Sequence, residues 1–203
     1  MTSRWHALRP KLAALAAGIF VLAALAVAGA IYVGGGKPSG VPTTGSKQTA
    51  TLSSPSFIMH EAPRPLPEIA FQDGNGQALT LDAFDGRTVL LNLWATLCVP
   101  CREEMPTLDA LEAELGSPGF EVVALSIDRA GPEVVRTFFA EIGIEHLGLY
   151  IDTSMQASFD LVAPGIPTTL LIDGEGRELG RLIGPAEWDT KEMIAFLKFQ
   201  ING

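Results

Sequence analysis

Apolar residues are distributed in two regimes along this 203-residue chain. From Leu12 to Val33 no charged side chain interrupts 22 consecutive positions, nine of them alanine. Beyond Leu66 the apolar residues come instead in short runs or at helical spacing, punctuated by glycine, proline and acidic turns. A helix as long as the first run rises about 30 Å, the thickness of a bilayer's hydrocarbon core. Arg4, Arg9 and Lys11 precede it and the next basic residue is Lys37, so the basic flank is expected to stay in the cytoplasm while the rest is exported. The expectation is a cytoplasmic segment over 1–11 and a transmembrane anchor over 12–33. A cleaved signal peptide is the alternative, since Ala28 and Ala30 resemble a cleavage site, although such apolar cores usually run about 7 to 15 residues. A buried helix in a cytoplasmic protein is a third reading.

Residues 34–65 lose all periodicity. G-G-G-K-P-S-G-V-P-T-T-G-S-K-Q-T-A is too poor in apolar side chains to offset ordering and reads as a flexible tether. S-F-I-M-H, Ser56 to His60, is a candidate for docking on a domain edge, and E-A-P-R-P-L-P reads as an extended approach to the domain.

Residues 66–203 make one domain with room for a core. Ile69 to Phe71 is a short strand, D-G-N-G a turn, and A-L-T-L its return, a hairpin. D-A-F-D-G is a turn or one helical turn. T-V-L-L-N-L-W, Thr88 to Trp94, is nearly continuous apolar sequence and suits a central strand covered on both faces. The period then changes: Met105, Leu108, Leu111 and Leu115 recur at helical spacing until G-S-P-G stops the helix. Phe120 to Ile127 is a strand, and a second helix starts at Pro132 and ends near Gly143. A short strand over Leu147 to Ile151, a short helix over Thr153 to Leu161 and a strand in G-I-P-T-T-L-L-I-D follow. G-E-G-R turns into E-L-G-R-L-I-G, and a last amphipathic helix is expected from Ala186 to Ile201. This order predicts an α/β architecture: a βαβ unit joined to a ββα unit, with an N-terminal hairpin and helices on both faces of a mixed sheet. Pro167 at the mouth of a central strand removes a ladder donor, and a cis peptide in a tight turn would explain it.

Charge sharpens the division. Residues 1–56 carry five basic and no acidic side chains, whereas 57–203 carry nine basic and 23 acidic ones, a net of −14. Such a domain is a poor nucleic acid binder.

The chain's two cysteines stand together in W-A-T-L-C-V-P-C-R-E-E-M-P, Trp94 to Pro106. Cys98 falls where a buried strand gives way to a helix, whose free N–H groups and dipole favour an anion and lower a thiol's pKa. Cys101 lies one turn on, less exposed and within reach for a disulfide; the spacing permits a mixed disulfide at Cys98 and its resolution by Cys101. Pro100 sits in the first turn, where a missing N–H costs little. A purely structural bond is the bland reading, but so small a loop restricts the unfolded chain little. Metal binding has only these thiols and His6, His60 and His146 to draw on: His6 across the membrane, His60 in or beside the tether, His146 an ordinary loop residue. A four-ligand zinc site is not supported; transient Cu(I) on the dithiol stays open. No resident metal or cofactor is expected.

With G-I-P-T-T-L-L-I-D from Gly165 to Asp173 and G-P-A-E-W from Gly184 to Trp188, these segments resemble the TlpA-type thioredoxin-like proteins, membrane-tethered bacterial thiol–disulfide oxidoreductases. The resemblance implies a thioredoxin-like fold, Cys98 as the attacking and Cys101 as the resolving thiol. It implies Pro167 as the cis-proline facing the dithiol, with Ile166 shaping selectivity. Glu104 matches the acid kept near the thiols, a proton relay three residues from Cys101 on the same helix face. Its bland reading is a solvated helix glutamate. Trp94 would support the site. Two positions depart from the ordinary thioredoxin pattern: Asn92 replaces an aspartate six residues before Cys98 and cannot carry a proton, and Leu97 replaces a tryptophan and so lacks an aromatic plate. By the same resemblance, the partners would be periplasmic protein disulfides, foremost in copper-handling factors of cytochrome oxidase assembly, and an unidentified membrane electron donor. Reduction of apocytochrome c before haem attachment is the alternative, and a non-enzymatic Cu(I) carrier is the reading from another class. The expected oligomeric state is a monomer.

Overall fold

A computed structural model of the chain describes residues 56–202; the expected anchor and most of the tether lie outside the described residues. Among those residues no helix is long and apolar enough to cross a membrane. The elements are β1 (Ile58–Pro65), β2 (Phe71–Asp73), β3 (Ala78–Leu79), a 3-10 turn (Leu81–Phe84), β4 (Thr88–Trp94), α1 (Val99–Leu115), β5 (Phe120–Ser126), α2 (Pro132–Ile142), β6 (Tyr150–Ile151), α3 (Gln156–Asp160), β7 (Thr168–Ile172), β8 (Arg177–Ile183) and α4 (Lys191–Asn202). They form one eight-stranded mixed sheet in the order β1-β8-β7-β4-β5-β6-β2-β3. β5 runs parallel to β4 and β6, and the other pairs are antiparallel. The thioredoxin-like α/β architecture expected from the sequence is the one observed.

β4 shows why. Val89 to Trp94 are all buried, so alternate side chains need cover on both faces. Leu90 and Trp94 join Leu108 and Leu111 of α1, Phe138 of α2 and Phe196 and Leu197 of α4 in one core. Val89, Leu91 and Leu93 join Ile69, Phe71, Phe84, Ala157 and Leu161 in the other. The β4–α1–β5 and β5–α2–β6 crossovers step the same way across the sheet, and right-handed connections then place α1 and α2 on one face. The second face is left to α3, the 3-10 turn and the N-terminal hairpin. At about 1.5–3 kcal/mol for each fully buried aliphatic side chain, β4 is a principal source of stability.

Two boundaries differ most from the sequence reading. The stretch assigned to the tether ends in a strand: Ile58–Pro65 pairs with β8, Ile58 opposite Arg181 and Pro65 opposite Arg177. Phe57 is buried just ahead of it, 5.4 Å from the Phe196 ring. Gly180 admits this strand, because a Cβ there would lie 2.8 Å from the Ile58 carbonyl oxygen. The prolines are tolerated because β1 is an edge strand. The last helix begins at Lys191 rather than Ala186; Thr190 opens it, its hydroxyl accepting from Met193 N–H at 3.2 Å. Trp188 is nevertheless fully buried, held in the preceding turn by α1.

Candidate functional site

The end of β4 delivers the chain to the start of α1 through Ala95, Thr96 and Leu97. Cys98 is the N-cap residue and Pro100 lies in the first turn. Cys98 and Cys101 are joined in a disulfide, their Cα atoms 5.2 Å apart. The Cys101 N–H points at Cys98 Sγ from 3.3 Å, one of the free amides a helix start leaves available to an anion. Cys98 is partly exposed, whereas Cys101 is fully buried beneath it. Leu97 and Val99, on either side of Cys98, are 91% and 63% exposed, so the accessible sulfur sits in an apolar surround.

Across from the sulfur lies the Ile166–Pro167 peptide, which is cis. The Ile166 carbonyl oxygen is 3.7 Å from Cys98 Sγ. The loop is fixed on both sides: Thr168 Oγ1 donates to Gly165 O at 2.7 Å, and Gly184 N–H donates to Pro167 O at 3.0 Å. Pro167 itself is buried and Ile166 half-buried.

Glu104 is no solvated helix residue. It is 3% exposed and three donors converge on it. Asn92 Nδ2 reaches Oε1 at 2.9 Å, while Ala186 N–H and Trp188 Nε1 reach Oε2 at 3.0 and 3.1 Å. Burial raises its pKa above the ordinary carboxyl value, and the three hydrogen bonds oppose that only in part. Asn92 stands opposite Thr169 across the β4–β7 ladder and also donates to Thr169 Oγ1 at 3.0 Å. Its Oδ1 has no hydrogen-bond partner among the described residues. A cleft lined by Glu103, Glu104, Thr107, Pro185, Ala186 and Glu187 opens beside this residue.

Trp94 is fully buried. Its ring stacks 5.7 Å from Phe139 and its Nε1 donates to Ala124 O at 3.2 Å, so it supports the loop from the core and presents no surface to a partner. Sequence reasoning missed three features. The Trp188 indole, taken as a core contact, is also a donor to Glu104. Asp128 holds Thr96 N–H and hydroxyl at 2.8 and 2.7 Å, and Arg102 lies 4.6 Å over the Phe138 ring centroid. Trp188 and Arg102 lie within motif segments, but their partners, and Asp128 altogether, come to the site only through the fold. His60, assigned to the tether, lies in β1 with Nε2 3.0 Å from Glu178 Oε1. Among the described residues no group of three or more His, Cys, Asp or Glu is arranged to hold a metal ion.

The Redoxin family model matches residues 61–195. The thiol:disulfide interchange protein HelX of Rhodobacter capsulatus is 34% identical over 109 residues, 54% of this chain and 59% of HelX. The thiol-disulfide oxidoreductase ResA of Bacillus subtilis is 31% identical over 128 residues, 63% of this chain and 69% of ResA. Among solved structures, a candidate thiol:disulfide interchange protein DsbE from Chlorobium tepidum superposes with a TM-score of 0.61 at 26% identity, covering 68% of this chain and 96% of that one.

Proposed function

The chain belongs to the redoxin family as a thioredoxin-like thiol–disulfide oxidoreductase, and we propose that it works as a periplasm-facing dithiol reductase of cysteine pairs in other proteins. The observation that carries this reading is the asymmetry of the pair: Cys98 partly exposed at the helix start against Ile166, Cys101 fully buried below it. In the reduced form the Cys98 thiolate attacks one sulfur of a partner disulfide, forming a mixed disulfide and releasing one partner thiolate. Cys101, deprotonated, then attacks Cys98 Sγ; the Cys98–Cys101 bond forms and the second partner thiolate leaves. Two electrons pass to the partner, and a membrane electron donor returns the pair to the dithiol. In this reading Glu104, three residues on from Cys101, takes the proton that Cys101 gives up and passes it through the adjoining cleft, work that the non-titrating amide of Asn92 cannot do.

The substrates proposed are cysteine pairs of copper-handling factors or subunits in cytochrome oxidase assembly, which must be reduced before they can bind metal. Apocytochrome c cysteines are the alternative, served by the same steps. The test is a Cys101→Ser variant of the full-length chain, expressed with its N-terminal segment in place. It should accumulate a mixed disulfide through Cys98 with an exported protein, and the captured partner decides between the two substrates. Recovery of no exported protein, together with tight stoichiometric Cu(I) binding by the parent chain and no turnover of protein disulfides, would instead establish a copper carrier.

A further inference from the structure

We infer that Asp128 is a positioning residue for Cys98: it takes the place of a missing strand partner and fixes the turn that presents the attacking sulfur. The β4–β5 ladder ends at Trp94 opposite Ser126, with one more bond from Ile127 N–H to Trp94 O at 2.9 Å. Beyond that point the chain must cross Ala95, Thr96 and Leu97 before helical bonding begins, and Thr96 is only 9% exposed. Its N–H and hydroxyl would be buried without partners. The Asp128 carboxylate supplies both, Oδ2 accepting from Thr96 N–H at 2.8 Å and Oδ1 from Thr96 Oγ1 at 2.7 Å. The carboxylate is itself 8% exposed and steered by the fully buried Ser126, whose Oγ donates to Oδ2 at 2.8 Å and accepts from Asp128 N–H at 3.1 Å.

The far side of the same residue is held as well. Arg102 Nη1 donates to Thr96 O at 3.3 Å while its guanidinium lies over Phe138, and Cys98 N–H closes the turn on Ala95 O at 3.0 Å. Thr96 is thus pinned from the loop after β5 and from α1, two residues before the sulfur. With the turn fixed, Leu97 projects outward, and Cys98 Sγ is left against Ile166. Thiol exchange needs three sulfurs nearly in line, and a misplacement of about 1 Å at a reacting group can cost on the order of a hundredfold in rate. Thr96 and Asp128 touch neither sulfur, so their effect passes through the turn.

The inference rests on the dithiol chemistry proposed above but not on any particular partner. It is tested in the full-length reduced chain by its rate of exchange with oxidised glutathione, the pH profile of that rate, and thermal unfolding. Asp109→Ala serves as the matched control, because Asp109 is also a buried carboxylate bonded to loop amides, at 2.7–3.3 Å, but toward the other end of α1. Asp128→Ala should exchange roughly tenfold more slowly than Asp109→Ala, with a displaced pH profile, beyond anything their unfolding temperatures explain. Asp128→Asn should return to within about threefold of the parent, since its amide oxygen can accept from Thr96 N–H and its NH2 can donate to Thr96 Oγ1. An Asp128→Ala chain no slower than the control, or an Asn variant as slow as Ala, overturns the inference. Should Asp128→Ala fail to fold, Thr96→Val isolates the hydroxyl bond: roughly threefold slower exchange supports the inference, and an unchanged rate overturns it. Glutathione needs no protein partner, so this outcome is independent of whether the Cys101→Ser trap captures one.

Discussion

The two halves of α1 bury the same kind of stripe and use it differently. Cys101, Met105, Leu108 and Leu111 are all fully buried along one face, yet the carboxylates that accompany them find opposite sorts of partner. In the later half Asp109 accepts backbone N–H groups of Glu145, His146 and Leu147, and Glu112 accepts Val122 N–H at 2.7 Å. Those carboxylates do the work of caps, tying loops and a strand to the helix. In the first half Glu104 is met by an asparagine side chain and an indole as well as by one amide. A buried carboxylate must be compensated in either case, and burial raises the carboxyls of Glu104 and Glu112 alike; the amides around Asp109 and Glu112 tie in loops and a strand, whereas Glu104 is held mainly by two side chains, three residues on from Cys101. Burial plus hydrogen bonds is therefore not by itself a sign of function; what surrounds the carboxylate and where it opens decide.

The comparison can be broken most forcefully at the sulfur. Cys98→Ser should drop disulfide exchange by several orders of magnitude while leaving thermal unfolding of the reduced chain unchanged; exchange that survives would remove the first half of α1 from the chemistry. Trp188→Ala is next, and should destabilise the domain by about 3–5 kcal/mol in urea unfolding, because it empties a fully buried site. Trp188→Phe keeps most of the ring and deletes one donor to Glu104, so a loss of only about 1–3 kcal/mol is expected. No loss in Trp188→Phe would mean that the indole N–H contributes nothing. Asp109→Ala, in the capping half, should cost about 1–3 kcal/mol through its unpaired loop amides and leave the alkylation rate of Cys98 unmoved; an altered rate would erase the distinction between the halves.

A pH series sharpens the same contrast. The Glu104 carboxyl is raised above its unfolded value by burial, so the folded state holds its proton more tightly than the unfolded one. Its contribution to stability is complete below the unfolded pKa and is lost as pH rises through the higher folded value. The urea midpoint of the parent chain should fall across that window relative to Glu104→Gln, in which Asn92 can turn its unpaired Oδ1 toward the new amide. Parallel curves for the two chains would contradict the direction assigned to Glu104. The smallest effect belongs to Leu97→Trp: at 91% exposure the side chain should change stability by no more than about 0.5 kcal/mol, with any consequence confined to the rate of exchange with protein partners.

Much of this was legible in the chain, for local reasons. The run Thr88–Trp94 matches β4 residue for residue, because an uninterrupted apolar stretch of strand length bounded by a turn has few other uses. The Cys98–Cys101 disulfide and the cis peptide at Pro167 follow from short segments with their own physical logic, whereas Glu104 stood out only through the family resemblance. β1 was not, since E-A-P-R-P lacks alternation and its prolines argue against a strand everywhere except at a sheet edge. The last helix was started too early because apolar spacing runs on through Trp188, whose place is set instead by Thr107 and Glu104 across the fold. Asp128 carried no signal either: thirty-two residues separate it from Thr96, and only the parallel β4–β5 pairing brings them together. Residues 1–55, with the expected anchor, lie outside the described structure.

The most direct measurement is limited alkylation of the reduced full-length chain, with the modified peptide identified by mass spectrometry. If Cys98 attacks and Cys101 resolves, the first label should fall on Cys98, with Cys101 reacting at least about tenfold more slowly because it is sealed beneath the helix start. Equal labelling of the two cysteines, or preferential labelling of Cys101, would contradict the account.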